Sequence, residues 1–574
     1  MTARMRFPLL LSFISALGAC SMPLFAKSIT DFGLYDQSGH FYQMSRVSSD
    51  LILLIVQQFD DPASRQAVAE AASLQQRFQD DSLFVAALNP GTNVSRDSAR
   101  EEMIAIGMDL PVLLDSAQVV SSSLDVKRSG EVFLIDSQRL NLLYRGSINE
   151  AENAGGQPTL EAAIEAALTG ETSTVVSSHT EGTPIHLTYR NEFESQGVSY
   201  QEDVAPIFIN KCAGCHVEDG LAPWPMTNHR MLQGWSPMIR EVLLTRRMPP
   251  GQIDEQVGEW TDTHQLTDFE IALLVYWIDN GARKEGDADP VAARPLAVPQ
   301  WPLGEPDLVV DLPEYSVPAT GIVDFVYERL DIPLVQDTWV KAVSYWPGDA
   351  SVLHSVLTYA VASASPPVDP FELISAGDTE FVSLFVPGKS TDEFLPGSAF
   401  LLSKDSDLVV KVRYLSSGRA TTDSTRIGLH FMDTDPEMAI NTLVLENADF
   451  VIPAGKSNEI IQVASAPFET DVLVEAFAPQ MHGRGVGMSI TARFPDGHER
   501  QLINVPNYNF NWQMNYTLRE PIQLPAGTRL LSTTVFDNSE LNPFSLAPEE
   551  DAVVGPTSWD EILKHYVRIY LRTP

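Results

Sequence analysis

Cys212-Ala213-Gly214-Cys215-His216 holds two of the three cysteines in this 574-residue chain. Thiols three residues apart lie about one helical turn from each other, so both can add to the vinyl groups of one porphyrin. The adjacent His216 then falls beneath the ring as an axial iron ligand. The other readings are a redox dithiol and half of a zinc site. A zinc site calls for a second ligand pair at suitable spacing, and none follows. A dithiol has no need of the histidine. The spacing therefore points to haem c, anchored by Cys212 and Cys215 with His216 on the iron.

A thioether sulfur suits the sixth position of an electron-transfer haem, and Met226, Met231, Met238 and Met248 are the candidates. Met248 is preferred, because Pro249 and Pro250 stiffen the loop behind it. Arg246 and Arg247 beside it are candidate partners for haem propionates. Helices are predicted on both sides of the motif. Ser199-Tyr200-Gln201-Glu202 forms a capping box ahead of Val204, Ile207 and Phe208, and Thr267-Asp268-Phe269-Glu270 opens a helix carrying Ile271, Leu274, Val275 and Ile278 that closes at Asn280-Gly281. Two amphipathic helices bracketing such a motif over residues 196–286 resemble a small, all-α class I cytochrome c.

The first residues set an expected compartment. Met1–Arg6 carries two arginines and Phe7–Ala19 is an apolar run too short to span a bilayer, so 1–26 reads as a signal peptide and the protein as periplasmic or otherwise exported. Leu17-Gly18-Ala19-Cys20 also fits a lipoprotein box, which would make a lipid anchor at Cys20 the only membrane attachment. With Cys20 removed or lipidated and the other pair on haem, no structural disulfide is expected. Lys+Arg 38 against Asp+Glu 76 gives a formal charge of −38, which argues against nucleic acid and anionic membrane as partners. Such a surface would steer a basic redox partner, or be no more than a solvated acidic face.

Residues 28–170 alternate buried strands with helices, an α/β pattern. Leu51–Val56, Leu83–Asn89, Glu131–Asp136 and Asn141–Arg145 read as strands, and Pro62 begins a helix with Ala71, Leu74 and Phe78 on one face. The order resembles the thioredoxin-like redoxins, in which the loop after the first core strand carries the reactive cysteine. That loop is here Gln57–Ser64, without cysteine, and Ser129-Gly130 stands where the family has its cis-proline. No thiolate is left for disulfide or peroxide chemistry.

Residues 171–195 and 287–305 read as linkers. Beyond them, short alternating runs such as Thr338–Ser344, Leu408–Arg413, Asp471–Phe477 and Leu530–Phe536 imply two β-sandwiches, assigned to 306–442 and 443–574. Arg247-Met248-Pro249-Pro250, Gly304–Val309, Tyr508–Gln513 and Phe536–Ser539, with the domain order, resemble a bacterial fusion. It joins a redoxin, a cytochrome c and a copper type II ascorbate-dependent monooxygenase-like module of the peptidylglycine and dopamine hydroxylase kind, built as paired jelly rolls. The resemblance implies two copper sites. In the first, an adjacent histidine pair is reduced to His354-Ser355, and a third histidine is replaced at Val412-Arg413-Tyr414. In the second, a His-x-His pair is reduced to Gln480-Met481-His482, and Ile562 stands in place of the methionine ligand. His354 and His482 are the residual copper positions. His430, His565, Met481 and Met488 are the nearest residues from which a repositioned set could be drawn.

The expected function is an exported, monohaem electron-transfer protein whose redoxin and hydroxylase-like domains serve binding or docking to an unidentified redox partner. The alternatives are a copper monooxygenase-class oxidoreductase fed electrons by the haem, and a non-catalytic scaffold or ligand-binding protein.

Overall fold

The computed structural model describes residues 28–78, 82–148, 159–170, 176–177, 180–251, 253–261, 264–294, 300–365, 370–377 and 379–572. The expected signal segment and Cys20 lie outside the described residues. Among the described residues, no helix is long and apolar enough to cross a membrane.

The sequence Leu51–Val56 is apolar at every position, and all six residues are buried. A strand of this kind must be covered on both faces. Leu51, Leu53 and Ile55 pack beneath the helices Pro62–Phe78 and Arg96–Ile106. Ile52, Leu54 and Val56 face the opposite way, into a core shared with Phe193, Phe208, Leu243 and Leu274 of the helical segment that follows. Leu51–Val56 lies at the middle of an eight-stranded sheet, parallel to Leu83–Asn89 and antiparallel to Val132–Asp136. With Val112–Leu114 parallel to Leu83–Asn89, and Asn141–Gly146 antiparallel to Val132–Asp136, these are the strand order and directions of a thioredoxin-like α/β domain. That domain occupies roughly the first quarter of the chain.

The described residues of the 171–195 stretch, read as a linker, are woven into this layer. Val176–Ser177 adds a parallel edge strand to Tyr144–Arg145, Pro184 bridges Arg128, and Thr188–Gln196 is a helix packed on Asp268–Asp279. The backbone hydrogen bonds of the sheet edge hold what composition alone marked as loose. The 287–305 stretch is likewise anchored. It forms a short helix, Pro290–Ala293, buries Val291 and Trp301, and sets Pro306 against Gly428, where a Cβ would lie 2.4 Å from the proline ring.

Helices His229–Leu244 and Asp268–Asp279 cross in the middle segment. Thr267 and Glu270 make the expected capping box at the start of the second. At Ser199 the box is altered: the Ser199 hydroxyl accepts from Glu202 N–H, but the carboxylate reaching back to Ser199 N–H belongs to Asp203. The helix that follows is widened at both ends into π turns, Tyr200–Val204 and Phe208–Cys212, around Pro206, which has no N–H to continue a regular ladder.

The C-terminal half contains two β-sandwiches that share one nine-stranded sheet. Each is completed by its own four-stranded sheet. The first of these joins Val326–Leu330, Ser406–Tyr414, Leu353–Ala362 and Thr379–Phe385, and the second Glu459–Ala464, Arg529–Phe536, Gly485–Arg493 and Glu499–Val505. The boundary expected between 442 and 443 falls inside one strand, Met438–Asn447. This strand pairs along its length with Leu563–Arg572 and runs parallel to Ser398–Ala399, so hydrogen bonding carries straight through the supposed division. Buried charge crosses the same seam: Arg568 pairs with Asp392 at 2.6 Å, and Glu475 lies 3.6 Å away.

The loop after the middle helices ties the parts together. Glu259 and Thr261 exchange backbone hydrogen bonds with Arg519 and Thr517, extending the shared sheet at the strand Tyr516–Leu524, and Trp260 enters the last sandwich core. Five residues earlier, Asp254 is 2% exposed. Its carboxylate accepts from Arg96 of the first domain and from Asn504 Nδ2 of the last sandwich at 2.9 Å. Replacing one member of a buried ion pair leaves the other charge uncompensated, at a cost of about 3 kcal/mol or more. Asp254→Ala is therefore expected to lower the thermal unfolding midpoint and to speed proteolysis at the segments joining the three parts. An unchanged melt and digestion pattern would show that the junction is not what holds them.

Candidate functional site

Cys212–His216 is a single helical turn, with Cys215 and His216 N–H groups both donating to Cys212 carbonyl at 3.2 Å. The chain enters it through the widened turn Phe208–Cys212, whose Phe208 is buried against Trp277 of helix Asp268–Asp279. His216 is oriented by the loop behind it. Its Nδ1–H donates to Trp224 carbonyl at 2.8 Å, and its own carbonyl accepts from Met226 N–H at 2.9 Å. Bonding at Nδ1 selects the tautomer whose lone pair is on Nε2, the arrangement found where imidazole ligates a metal. Burial holds the ring's pKa below its ordinary value despite the Trp224 bond, so the ring is neutral. Both thiols are half-buried and free, and burial pushes Cys212 up to about 12. A thiol so far from ionising is a poor nucleophile for disulfide exchange. Two cysteines on one turn and a neutral imidazole with its Nε2 lone pair available make a donor set that fits covalently attached haem.

The other predicted residues are placed as follows. Met248 is half-buried in the turn ending helix His229–Leu244, where its N–H bonds Val242 carbonyl. Met226 belongs to the loop that bonds His216 carbonyl, while Met238 is 46% exposed. Arg246 and Arg247 are engaged elsewhere: Arg246 bonds Asp268 at 3.2 Å and lies over the Tyr35 ring, and Arg247 bonds Glu241. Neither is therefore set aside for propionates. Sequence reasoning missed several neighbours of the motif. Arg294 Nη2 lies 3.4 Å from His216 carbonyl, and its Nη1 is buried with no hydrogen-bond partner among the described residues. Trp224 packs its ring 5.0 Å from His216 and stacks on Trp235. Gly388, in a turn of the first sandwich, lies so near the motif that a Cβ there would be 2.9 Å from Cys215 Sγ and 3.5 Å from His264 Nε2. Nothing local in the sequence signals these contacts, which join residues as many as 173 positions apart (388 − 215).

The redoxin loop and the place of its missing proline do meet. Asp61 accepts from Ser64 N–H at 2.8 Å, from Ser129 Oγ at 2.9 Å and from Thr183 Oγ1 at 2.6 Å. Burial works to raise the Asp61 pKa, but these donors outweigh it and hold the carboxyl below its usual range. Segment 180–184 lies directly over Ser129, and Gly182 permits the approach, since a Cβ there would fall 1.8 Å from Ser129 carbonyl. The space in front of the loop is closed by hydrogen-bonded backbone.

His354 and His482 lie on facing sides of the seam between the sandwiches. Strand Ser406–Tyr414 turns Val410, Val412 and Tyr414 into the first sandwich and presents Lys411 and Arg413 towards the second. Arg413 lies 3.8 Å over the Phe510 ring and donates to Phe510 carbonyl at 2.9 Å and Asn511 Oδ1 at 3.1 Å. Lys411 Nζ is 3.6 Å over the Phe325 ring, and burial, with Arg413 beside it, brings its pKa down to about 7. His354 Nε2 donates to Asn511 carbonyl, and its Nδ1 has no partner among the described residues. His482 Nδ1 donates to Asp560 carbonyl at 3.1 Å, and its Nε2 has none. The Tyr508–Gln513 stretch is the wedge that fills the seam: Tyr508 and Gln513 both donate to Met481 carbonyl, beside His482.

Each pocket thus offers one imidazole, next to side-chain cations. Among the described residues no three His, Cys, Asp or Glu converge to hold a metal. The residual positions do not fit copper, whose affinity comes from several converging imidazole or sulfur donors. The nearby residues do not repair them. His430 bonds Ser344, and both ring nitrogens of His565 are engaged, by Gln480 N–H and Thr534 Oγ1. Glu561, beside Ile562, accepts from the N–H groups of His482 and Arg484, and burial raises its pKa to about 7.

No family model and no curated protein matches this chain. Among solved structures, a hypothetical protein from Sinorhizobium meliloti aligns at 21% identity over 28% of this chain and 91% of its own, with a TM-score of 0.23. An uncharacterized conserved protein from Geobacillus kaustophilus aligns at 20% identity over 29% and 89%, with a TM-score of 0.23. The peroxidoxin BcpB of Mycobacterium tuberculosis aligns at 21% over 25% and 93%, with a TM-score of 0.20. Scores this low add nothing to the strand order already described.

Burial lowers the pKa of His354 and of His565 to about 3. Between the ordinary value of 6.5 and about 3, the unfolded chain binds protons that the folded chain does not, so these groups make stability fall as pH falls. Urea unfolding midpoints measured from pH 7 to pH 4 are expected to drop less steeply for His354→Gln than for the unmodified chain. Equal slopes would mean that His354 accepts its proton while folded.

Proposed function

We propose that this chain is an exported electron-transfer protein carrying one haem c, with Cys212 and Cys215 as thioether anchors and His216 Nε2 and Met248 Sδ as axial ligands. The observation that carries the proposal is the Nδ1–H bond from His216 to Trp224 carbonyl, on the same turn as both cysteines. Haem when bound supplies a one-electron Fe(III)/Fe(II) couple. The chain's own part is to hold the His216 ring at a set angle, to keep its Nε2 unprotonated, and to exclude water with Trp224, Phe208 and the sandwich turn at Gly388. The thioredoxin-like layer and the sandwiches act as binding or docking parts, since Asp61 closes one inherited site and Arg413 and Lys411 fill the other. The apolar run ahead of residue 26 supports export, with a periplasmic location, and a lipid anchor at Cys20 remains compatible with it. A formal charge of −38 supports a basic redox partner.

Purified protein is expected to hold haem through denaturing electrophoresis, with one iron per chain. Its spectrum should be low-spin with a methionine–iron charge-transfer band. Met248→Ala should turn the spectrum high-spin while the haem stays covalently attached, and Cys212→Ser with Cys215→Ser should remove covalent haem altogether. Iron below one per two chains in unmodified protein made by a host competent for haem attachment would overturn the reading.

A further inference from the structure

A cleft outside these sites lies between the first domain and the last sandwich, with a volume of about 570 Å³. One wall is the edge strand Phe41–Gln43 with the short helix Met44–Arg46 after it. The other is the outer face of the sheet formed by Glu459–Ala464, Arg529–Phe536 and Gly485–Arg493. On that face Ile460 pairs across from Val535, and Val535 across from Gly487. Tyr42, its ring tilted 5.5 Å from that of Phe84, and the half-exposed Ile460 give part of the walls an apolar character. The size is that of an ordinary small-molecule site.

Within this space the Arg46 guanidinium has no ion pair or hydrogen bond among the described residues. The carboxylates that influence it, Asp537 and Asp31, have other donors: Asp31 accepts from Gln43 and Ser45 side chains, and Asp537 from Ser539 N–H. A half-buried guanidinium without an anion is costly, because burial removes water and nothing replaces it. Its planar fork matches a carboxylate in two parallel hydrogen bonds. At Gly487 a Cβ would meet nothing closer than 3.6 Å, so the absence of a side chain there leaves the floor of the cleft open.

We propose that this cleft binds a small organic carboxylate, its anionic end on Arg46 and its apolar body between Tyr42 and the Ile460–Val535 face. The site is independent of the haem motif, and its occupant would bridge the first domain and the last sandwich. The ligand is a monoanion with an aromatic or short alkyl body, because the cleft sets one guanidinium beside Tyr42, Ile460 and Val535, and Asp537 in the same lining disfavours a second negative charge.

The test is titration calorimetry on the full chain with benzoate, phenylacetate and octanoate, each beside its primary amide. At least one carboxylate is expected to bind, with its amide tenfold or more weaker, as expected when a charge-assisted hydrogen bond is lost. Arg46→Gln should weaken that carboxylate by a similar factor and leave its amide unchanged. Gly487→Phe should abolish binding of both while the thermal midpoint of the chain is retained. If none of the three carboxylates binds the unmodified chain, or if Arg46→Gln binds them as well as the unmodified chain does, the proposal fails.

Discussion

The buried carboxylate of Asp254 is the interaction on which the assembly of this protein depends. It belongs to the loop between the two middle helices, yet its hydrogen-bond donors come from opposite ends of the chain, Arg96 and Asn504. A carboxylate 2% exposed is tolerated only when its lone pairs are satisfied, so all three parts must be in place for Asp254 to be buried. The adjacent residues Glu259–Thr261 then have a sheet edge to pair with, and Trp260 has a core to enter. The helical segment is in this way held against the thioredoxin-like layer on one side and the shared sheet on the other.

A common physics runs through the positions where the two resembled families place their chemistry. Where a thiol would stand in the first domain, the chain has Asp61, with its oxygens bonded to Ser64, Ser129 and Thr183. Where imidazoles would gather between the sandwiches, it has Arg413 and Lys411 lying on aromatic rings. In each place a charged side chain bonds within the protein. The cavity is then filled by neighbouring backbone, segment 180–184 in the first case and Tyr508–Gln513 in the second. Both arrangements add internal bonds.

The Cys212–His216 turn contrasts with this. His216 uses one ring nitrogen to fix its orientation, the other has no hydrogen-bond partner among the described residues, and the two cysteines are free. Arg294 and the Gly388 turn border it from elements remote in sequence. The proposed haem would therefore be lined by the helical segment and by the first sandwich together.

Much of this was legible before any coordinates. LILLIV, buried at all six positions, could only be a central strand, and Thr267 with Glu270 could only open a helix, because period and capping are local properties. The spacing of Cys212, Cys215 and His216 is local as well. The absence of a cysteine from Gln57–Ser64, and the presence of Arg413 and Ile562 where the resembled hydroxylases have a histidine and a methionine, followed from residue identity alone. Tertiary structure decided the rest: that Val176–Ser177 is an edge strand and Thr188–Gln196 a helix, that Met438–Asn447 runs through the expected division of the sandwiches, that Arg246 bonds Asp268, and that Arg46 has no ion pair among the described residues. Each of these depends on a partner far away in the chain. Hydrogen bonds and ion pairs between distant segments leave no period or spacing in the sequence, so they become visible only when the chain has closed on itself.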